Sequence, residues 1–189
     1  KQGIAAGVLT EADMPSISQA QLTSLYTQEG TSWSKLLGIP AASTSDDTAY
    51  VVRRVDSSGT QKTFEALIAR TTNGTIGGRQ CQAEVDGFLS GPVALDNTAA
   101  NLACDGSNIT VNGSGSGQVL ACLNKHQTDG RGAIGILTTE TKQAAGGLWR
   151  FVKISNLAPT HANVAGGKYT QYADASLNTR TGATLPTAS

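Results

Sequence analysis

The sequence predicts a protein of the α/β class, folded as a three-layer sandwich around a mixed, mostly parallel β-sheet. Short runs of apolar and β-branched residues alternate along the chain with segments whose apolar residues recur at helical spacing. Some of these runs, such as residues 132–137, lack the polar alternation of a half-exposed strand, which is typical of strands covered on both faces. The 189 residues suffice for one domain with a sizeable core.

The first third of the chain contains three predicted elements before the central segment. Residues 3–9 predict a short buried strand, and residues 17–26 predict a helix with a serine available as its N-cap. A second apolar stripe surrounds Trp33 and is ended by Gly38 and Pro40, two residues that stop helices.

Residues 50–68 contain the most informative pattern of the sequence, a strand, a polar turn and a helix in direct succession. Apolar residues 50–52 predict the strand, residues 56–59 interrupt it, and residues 60–68 predict the helix. The first backbone N–H groups of a helix have no intrahelical partner and lie at the positive end of its dipole, so this turn is a candidate anion site.

The side chains of this turn match that chemistry. Arg54 stands at the end of the strand, where its guanidinium could grip an oxyanion, and Ser58 and Thr60 offer hydroxyl donors on either side of Gly59. An ordinary helix cap explains the serine equally well, and Arg54 with Asp56 could form a plain surface ion pair.

The second half continues the alternation, although residues 86–95 have no decisive pattern; residues 97–104 could form a short helical turn. A strand at 109–111 precedes a glycine-rich loop and a helix, and two further strands and a short helix follow; the predicted ranges are 118–125, 132–137, 149–154 and 159–169. We expect residues 1–172 to form one unit and the polar residues 173–189 to form a loosely ordered C-terminal tail.

The glycine-rich loop is a second potential anion cradle, formed by Gly115, Ser116 and Gly117 at a helix start. It lacks the spacing of a nucleotide-binding P-loop because no lysine follows its last glycine. A flexible connector is the alternative explanation of the same residues.

Composition excludes several classes of function. The 14 basic and 14 acidic residues give a formal net charge of zero, which argues against a nucleic-acid-binding surface. No apolar run approaches the roughly 20 residues of a membrane-spanning helix. The low share of charged residues, 15%, is typical of periplasmic or secreted proteins.

Three cysteines, Cys81, Cys104 and Cys122, stand too far apart for a metal-binding motif. One disulfide with one buried thiol and three reduced thiols are the alternatives. We expect a Cys81–Cys104 disulfide, because both residues have polar, loop-like neighbours, and a reduced Cys122 buried on the helix after the glycine-rich loop.

No motif for catalysis is present, and we do not expect an enzyme or a cofactor. The two histidines, His126 and His161, lie outside any nucleophile motif; His126 is expected near the end of a helix and His161 at the surface or at a local cap.

Several segments together resemble the phosphate-type periplasmic substrate-binding proteins of phosphate ABC importers. Residues 54–60 are similar to their Arg-x-Asp-x-Ser-Gly-Thr anion loop, and residues 22–34, 132–136, 158–163 and 167–169 are similar to other segments of that family in the same order. The resemblance runs through most of residues 3–172.

The resemblance implies phosphate contacts for Arg54, Ser58, Gly59 and Thr60. It implies that Asp56 braces Arg54 instead of touching the ligand, and Ser57 belongs to the same supporting turn.

These relatives have two lobes that close over the ligand, and the chain matches mainly the second lobe. We therefore expect one α/β lobe of the type II periplasmic-binding fold, excised or trimmed, whose missing first lobe and an ABC-transporter permease would be its partners. A binding-protein-like domain used for protein interaction, adhesion or secretion, with a relic anion loop, is the alternative.

Overall fold

The computed structural model describes residues 14–27, 32–38, 40, 46–68, 93–94, 104–141 and 149–172, with the backbone alone at 93–94. Within these residues, none of the helices is long and apolar enough to cross a membrane.

A four-stranded parallel sheet lies at the centre of the described chain. Its strands are β2 (Tyr50–Arg54), β3 (Val93–Ala94), β4 (Thr110–Gly113) and β5 (Ala133–Gly135), in the spatial order β3-β4-β2-β5. β2 pairs with β4 on one side and with β5 on the other, so that Val51 lies opposite Thr110 and Ile134. A separate two-stranded parallel sheet joins β1 (Ser16–Ile17) to β6 (Lys153–Ile154).

Helices cover both faces of the central sheet. The described helices are α1 (Gln19–Thr27), α2 (Trp33–Leu37), α3 (Gly59–Leu67), α4 (Ser116–Thr128) and α5 (His161–Ala165). Val52 packs with Val119 of α4, while Arg53 points to the opposite face and binds Glu65 of α3. Because successive strand residues face opposite sides, these contacts place α3 and α4 on different faces of β2.

Two apolar clusters follow from this division. The cluster on the α3 side is the larger one and joins α1, α3, β2 and β6 through side chains that include Leu25, Tyr26, Val51 and Ile68. The cluster on the α4 side is formed by Val52, Cys104, Val111, Val119 and Cys122.

The α/β class predicted from the sequence is confirmed, and the ladders of the described strands are all parallel. The predicted strand at 149–154 is wrong in extent, because within the described part of the chain only Lys153 and Ile154 of this segment pair, and they pair with β1 outside the central sheet. The predicted strand at 3–9 and the predicted tail at 173–189 lie outside the described residues.

The predicted cysteine pairing is wrong. Cys104 forms a disulfide with Cys122, with 5.4 Å between their Cα atoms, so it is not free to bond Cys81, which lies outside the described residues. Cys122 does lie buried on a helix, as expected, but it is oxidised. The cause is the packing of α4 against the sheet, which brings this helix over the segment that leads into β4.

Candidate functional site

The connections that leave β2 and β4 run in opposite directions. The chain leaves β2 through α3 and reaches β3, beyond β4, whereas it leaves β4 through α4 and reaches β5, beyond β2. At such a point the two loops diverge to opposite faces of the sheet and leave a crevice outside the carboxyl ends of the strands, where open α/β sheets bind their ligands. Here the rule places the expected crevice between residues 54–60 and 113–118, at the carboxyl ends of β2 and β4.

The turn into α3 presents free backbone donors to this crevice. Ser58 is the N-cap of α3, and its Oγ accepts from the backbone N–H of Gln61 at 3.5 Å, which leaves the hydroxyl proton available as a donor. Among the described contacts, the N–H groups of Gly59 and Thr60 have no acceptor. Gly59 and Ser57 are exposed, whereas Ser58 is buried.

Arg54 ends β2 and points to the face that α4 covers. Its Nε donates to the carbonyl oxygen of Gly113 at 3.3 Å, its Nη1 to Ser116 Oγ at 3.2 Å, and its Nη2 to the carbonyl oxygen of Ser114 at 3.0 Å. No carboxylate of the described residues lies within ion-pair distance of this guanidinium, so its charge is not neutralised by any of them.

The neighbouring Arg53 is in the opposite situation. Its side chain is 1% exposed and pairs with Asp56 and with Glu65, the latter at 3.4 Å and equally buried. Lys62 binds the other oxygen of Glu65 at 3.0 Å. The expected brace between Asp56 and Arg54 is therefore wrong: the turn at 55–58 folds back on the α3 side of the sheet, which is the side that Arg53 faces.

Gln61 connects the two sides of the strand end. Its Oε1 accepts from the backbone N–H of Arg54 at 3.0 Å, and its Nε2 donates to Glu65 Oε1 at 3.1 Å. The sequence analysis does not predict this buried network of Arg53, Gln61 and Glu65. The helical spacing of Gln61, Glu65 and Ile68 could have indicated it, because that spacing puts two polar side chains on the face of α3 that packs against the sheet.

The loop before α4 is shaped by glycine and by Gln118. A Cβ atom on Gly113 would lie 3.1 Å from Gln118 Cβ and 3.3 Å from Val119 Cγ2, so this position favours glycine. Gln118 Oε1 accepts from the backbone N–H of Ser114 at 2.6 Å and from its hydroxyl at 2.9 Å. Gly115 is the N-cap of α4 and provides no side-chain cap.

The predicted site residues thus divide between the starts of two helices. Ser58, Gly59 and Thr60 begin α3, while Gly115, Ser116 and Gly117 begin α4. Arg54, at the end of β2, is bound directly to Ser116.

A second polar group lies further along α4, beside the disulfide. The ring of His126 stacks on Tyr50 with 4.6 Å between centroids, and His126 Nδ1 accepts from Arg131 Nε at 3.0 Å. Burial, followed by the nearby Arg131 charge, lowers the pKa of His126 from 6.5 to about 4. The nitrogen of His126 and the sulfur atoms of Cys104 and Cys122 lie within 4.8 Å of one another, but the sulfurs are joined in the disulfide and are not thiolate ligands.

A groove of about 670 Å³ runs along β5, beside the crevice. It is lined by both apolar and polar groups, and Thr60 of the crevice is one of its lining residues; the aromatic ones are Tyr26, Phe64, Trp149, Phe151, Tyr169 and Tyr172. Trp149 and Phe151 meet edge to face at 5.2 Å between centroids.

Comparison of the chain with protein-family models, with curated proteins and with solved structures found no match. The function is therefore inferred from the residues at the starts of α3 and α4 and from the motif resemblance.

Proposed function

We propose that this chain binds phosphate, or a similar oxyanion, in the crevice between α3 and α4, as the substrate-binding component or domain of an ABC-type phosphate uptake or sensing system. The observation that carries the proposal is the position of Arg54. It is a cation without a carboxylate partner among the described residues, at the carboxyl end of β2, where the connections of the sheet diverge.

Three kinds of donor favour a tetrahedral oxyanion at this place. Arg54 supplies the positive charge, Ser58 supplies a hydroxyl group, and Gly59 and Thr60 supply backbone N–H groups at the positive end of the α3 dipole. Arg53, by contrast, is neutralised by Asp56 and Glu65 and is not available to a ligand. The motif resemblance implies phosphate contacts for the same four residues.

We expect the affinity of this chain by itself to be low. Charge-assisted hydrogen bonds are strong only where water is excluded, and a single lobe covers one side of the anion. The dissociation constant Kd is expected at about 0.1–10 mM, which corresponds to about 3–5 kcal/mol of binding free energy. Under this proposal a first lobe would complete the site, a permease would be the transport partner, and the protein would work in the periplasm or as a secreted protein.

One observation favours the alternative, a binding-protein-like domain for protein interaction. The groove along β5 is lined in large part by aromatic and aliphatic side chains, which suit a peptide better than a dianion. On this alternative the turn at Ser58 acts only as a helix cap.

Titration with phosphate, followed by backbone NMR shifts, separates the two functions. We expect shifts at Gly59 and Thr60 in the wild type and the loss of most binding in Arg54→Ala. Lys168→Ala is the matched control, because it removes one exposed positive charge on another part of the chain and should leave the affinity unchanged. The absence of shifts at Gly59 and Thr60 at tens of millimolar phosphate, or equal shifts in the wild type and Arg54→Ala, would leave the turn as a helix cap only.

A further inference from the structure

The guanidinium of Arg54 is held by the glycine-rich loop before α4. Two of its three acceptors are backbone carbonyl oxygens, those of Gly113 and Ser114, and the third is the hydroxyl oxygen of Ser116. Carbonyl oxygens cannot move independently of the loop, so the loop conformation decides where the charge of Arg54 lies.

We infer that this loop is not a separate anion cradle but the element that positions Arg54 in the proposed phosphate site, with Ser116 as the positioning side chain. The inference rests on the function proposed above. The sequence suggests a second anion-binding loop at Gly115, Ser116 and Gly117. In the proposed arrangement these residues hold Arg54 and do not bind the anion themselves.

Contacts with the loop should strengthen anion binding because they pre-organise the Arg54 side chain. An arginine side chain has many rotamers, and a free one must lose them when it binds an anion. Arg54 has already lost much of this freedom to its contacts with the loop. Its three hydrogen bonds do not use all the N–H groups of a guanidinium, so others remain to contact a ligand.

The loop is itself fixed from behind. Gln118 accepts two hydrogen bonds from Ser114, and the close approach of Gly113 to the first turn of α4 leaves little room for a Cβ atom. The position of Arg54 is thereby coupled to the start of α4, while the proposed anion donors Ser58, Gly59 and Thr60 are at the start of α3.

A double-mutant cycle tests the role of Ser116. The variants are Ser116→Ala, Ser116→Thr, Arg54→Lys and the double variant Arg54→Lys with Ser116→Ala, all titrated with inorganic phosphate by NMR. Thr128→Ala is the control, because it deletes a hydroxyl group at the other end of α4. Urea unfolding of each variant reports whether the fold is retained.

We expect Ser116→Ala to raise the phosphate Kd about five-fold, since one hydrogen bond that orders the guanidinium is lost. Ser116→Thr, which keeps the hydroxyl group, should bind like the wild type, and so should Thr128→Ala. In the Arg54→Lys background, Ser116→Ala should have no further effect, because lysine has no guanidinium for Ser116 to hold.

The outcomes separate this inference from the proposed function. If Arg54→Lys weakens binding while Ser116→Ala does not, the phosphate site stands and the positioning role is wrong. An equal loss from Ser116→Ala in both backgrounds would also overturn the inference, because Ser116 would then act on the anion and not through Arg54. A wild type that binds no phosphate would refute the proposed function and the inference with it.

Discussion

Arg53 and Arg54 are neighbours on the same strand, yet the two faces of the sheet give them different chemistry. On the α3 face, Arg53 is 1% exposed and is enclosed by the carboxylates of Asp56 and Glu65. On the α4 face, Arg54 is half-buried and its described contacts are hydrogen bonds to neutral oxygens of a loop. A buried cation is costly unless it is paired, and the two carboxylates provide that pairing for Arg53.

The two arginines differ in the groups that surround their charge. Carboxylates neutralise Arg53, whereas uncharged oxygens orient Arg54, and no carboxylate of the described residues pairs with it. The α4 side also contains the Cys104–Cys122 disulfide and the buried His126.

The two faces should differ most in the free energy of unfolding that is lost when each arginine is replaced by methionine. Arg53→Met should destabilise the fold by about 3–5 kcal/mol, because it leaves the buried Glu65 without its guanidinium partner. Arg54→Met should cost less than about 1 kcal/mol, because its hydrogen bonds end in a half-exposed loop. Urea denaturation of both variants measures the two effects, and equal losses would contradict the distinction.

Removal of the disulfide should have the next largest effect and concerns the α4 face. The bond closes a loop with a sequence separation of 18, so Cys104→Ala with Cys122→Ala should lower the free energy of unfolding by about 3 kcal/mol. Mass mapping of the non-reduced wild type should recover a peptide pair that contains these two cysteines. A pair that joins Cys81 to either residue would show the pairing described here to be wrong.

The smallest expected effect is the pH dependence that His126 confers on the α4 face. Its folded-state pKa of about 4 lies below the ordinary 6.5, so the unfolded chain takes up the proton first as the pH falls. The contribution of the neutral His126 to stability is complete above pH 6.5 and declines by about 2 kcal/mol as the pH falls to 5. The neighbouring carboxyls Asp46 and Asp129 have pKa values below 3.8 and titrate beneath this window.

Denaturation of the wild type and of His126→Asn at pH 7 and at pH 5 checks this prediction. The wild type should lose more stability than the variant between the two values, because asparagine does not titrate. A variant with the same slope as the wild type would assign the pH dependence to other groups.

The sequence predicts where most helices and strands of the central sheet lie better than it predicts which strand pairs with which. Local patterns indicated β2, α3, α4 and β5 within a few residues, since apolar spacing and turn residues act over short distances. The extent of β6 was overestimated, because an apolar and aromatic run does not reveal where a strand finds a partner.

The two errors at the sites have one physical cause, which is that partner choice depends on the face a side chain occupies. Asp56 binds Arg53 and not Arg54 because the turn into α3 lies on the α3 face of the sheet. Cys104 bonds Cys122 because α4 packs over the segment before β4, a contact between residues distant in sequence. A motif fixes residue spacing along the chain but not these faces.

A structure determined from crystals grown with phosphate would show whether Arg54 holds the anion. We predict tetrahedral density in the crevice, within hydrogen-bond distance of the Arg54 guanidinium and of the N–H groups of Gly59 and Thr60, with Arg53 still bound to Asp56 and Glu65. An empty crevice with phosphate in millimolar excess, or phosphate bound elsewhere while Arg54 contacts only the loop at 113–116, would contradict it.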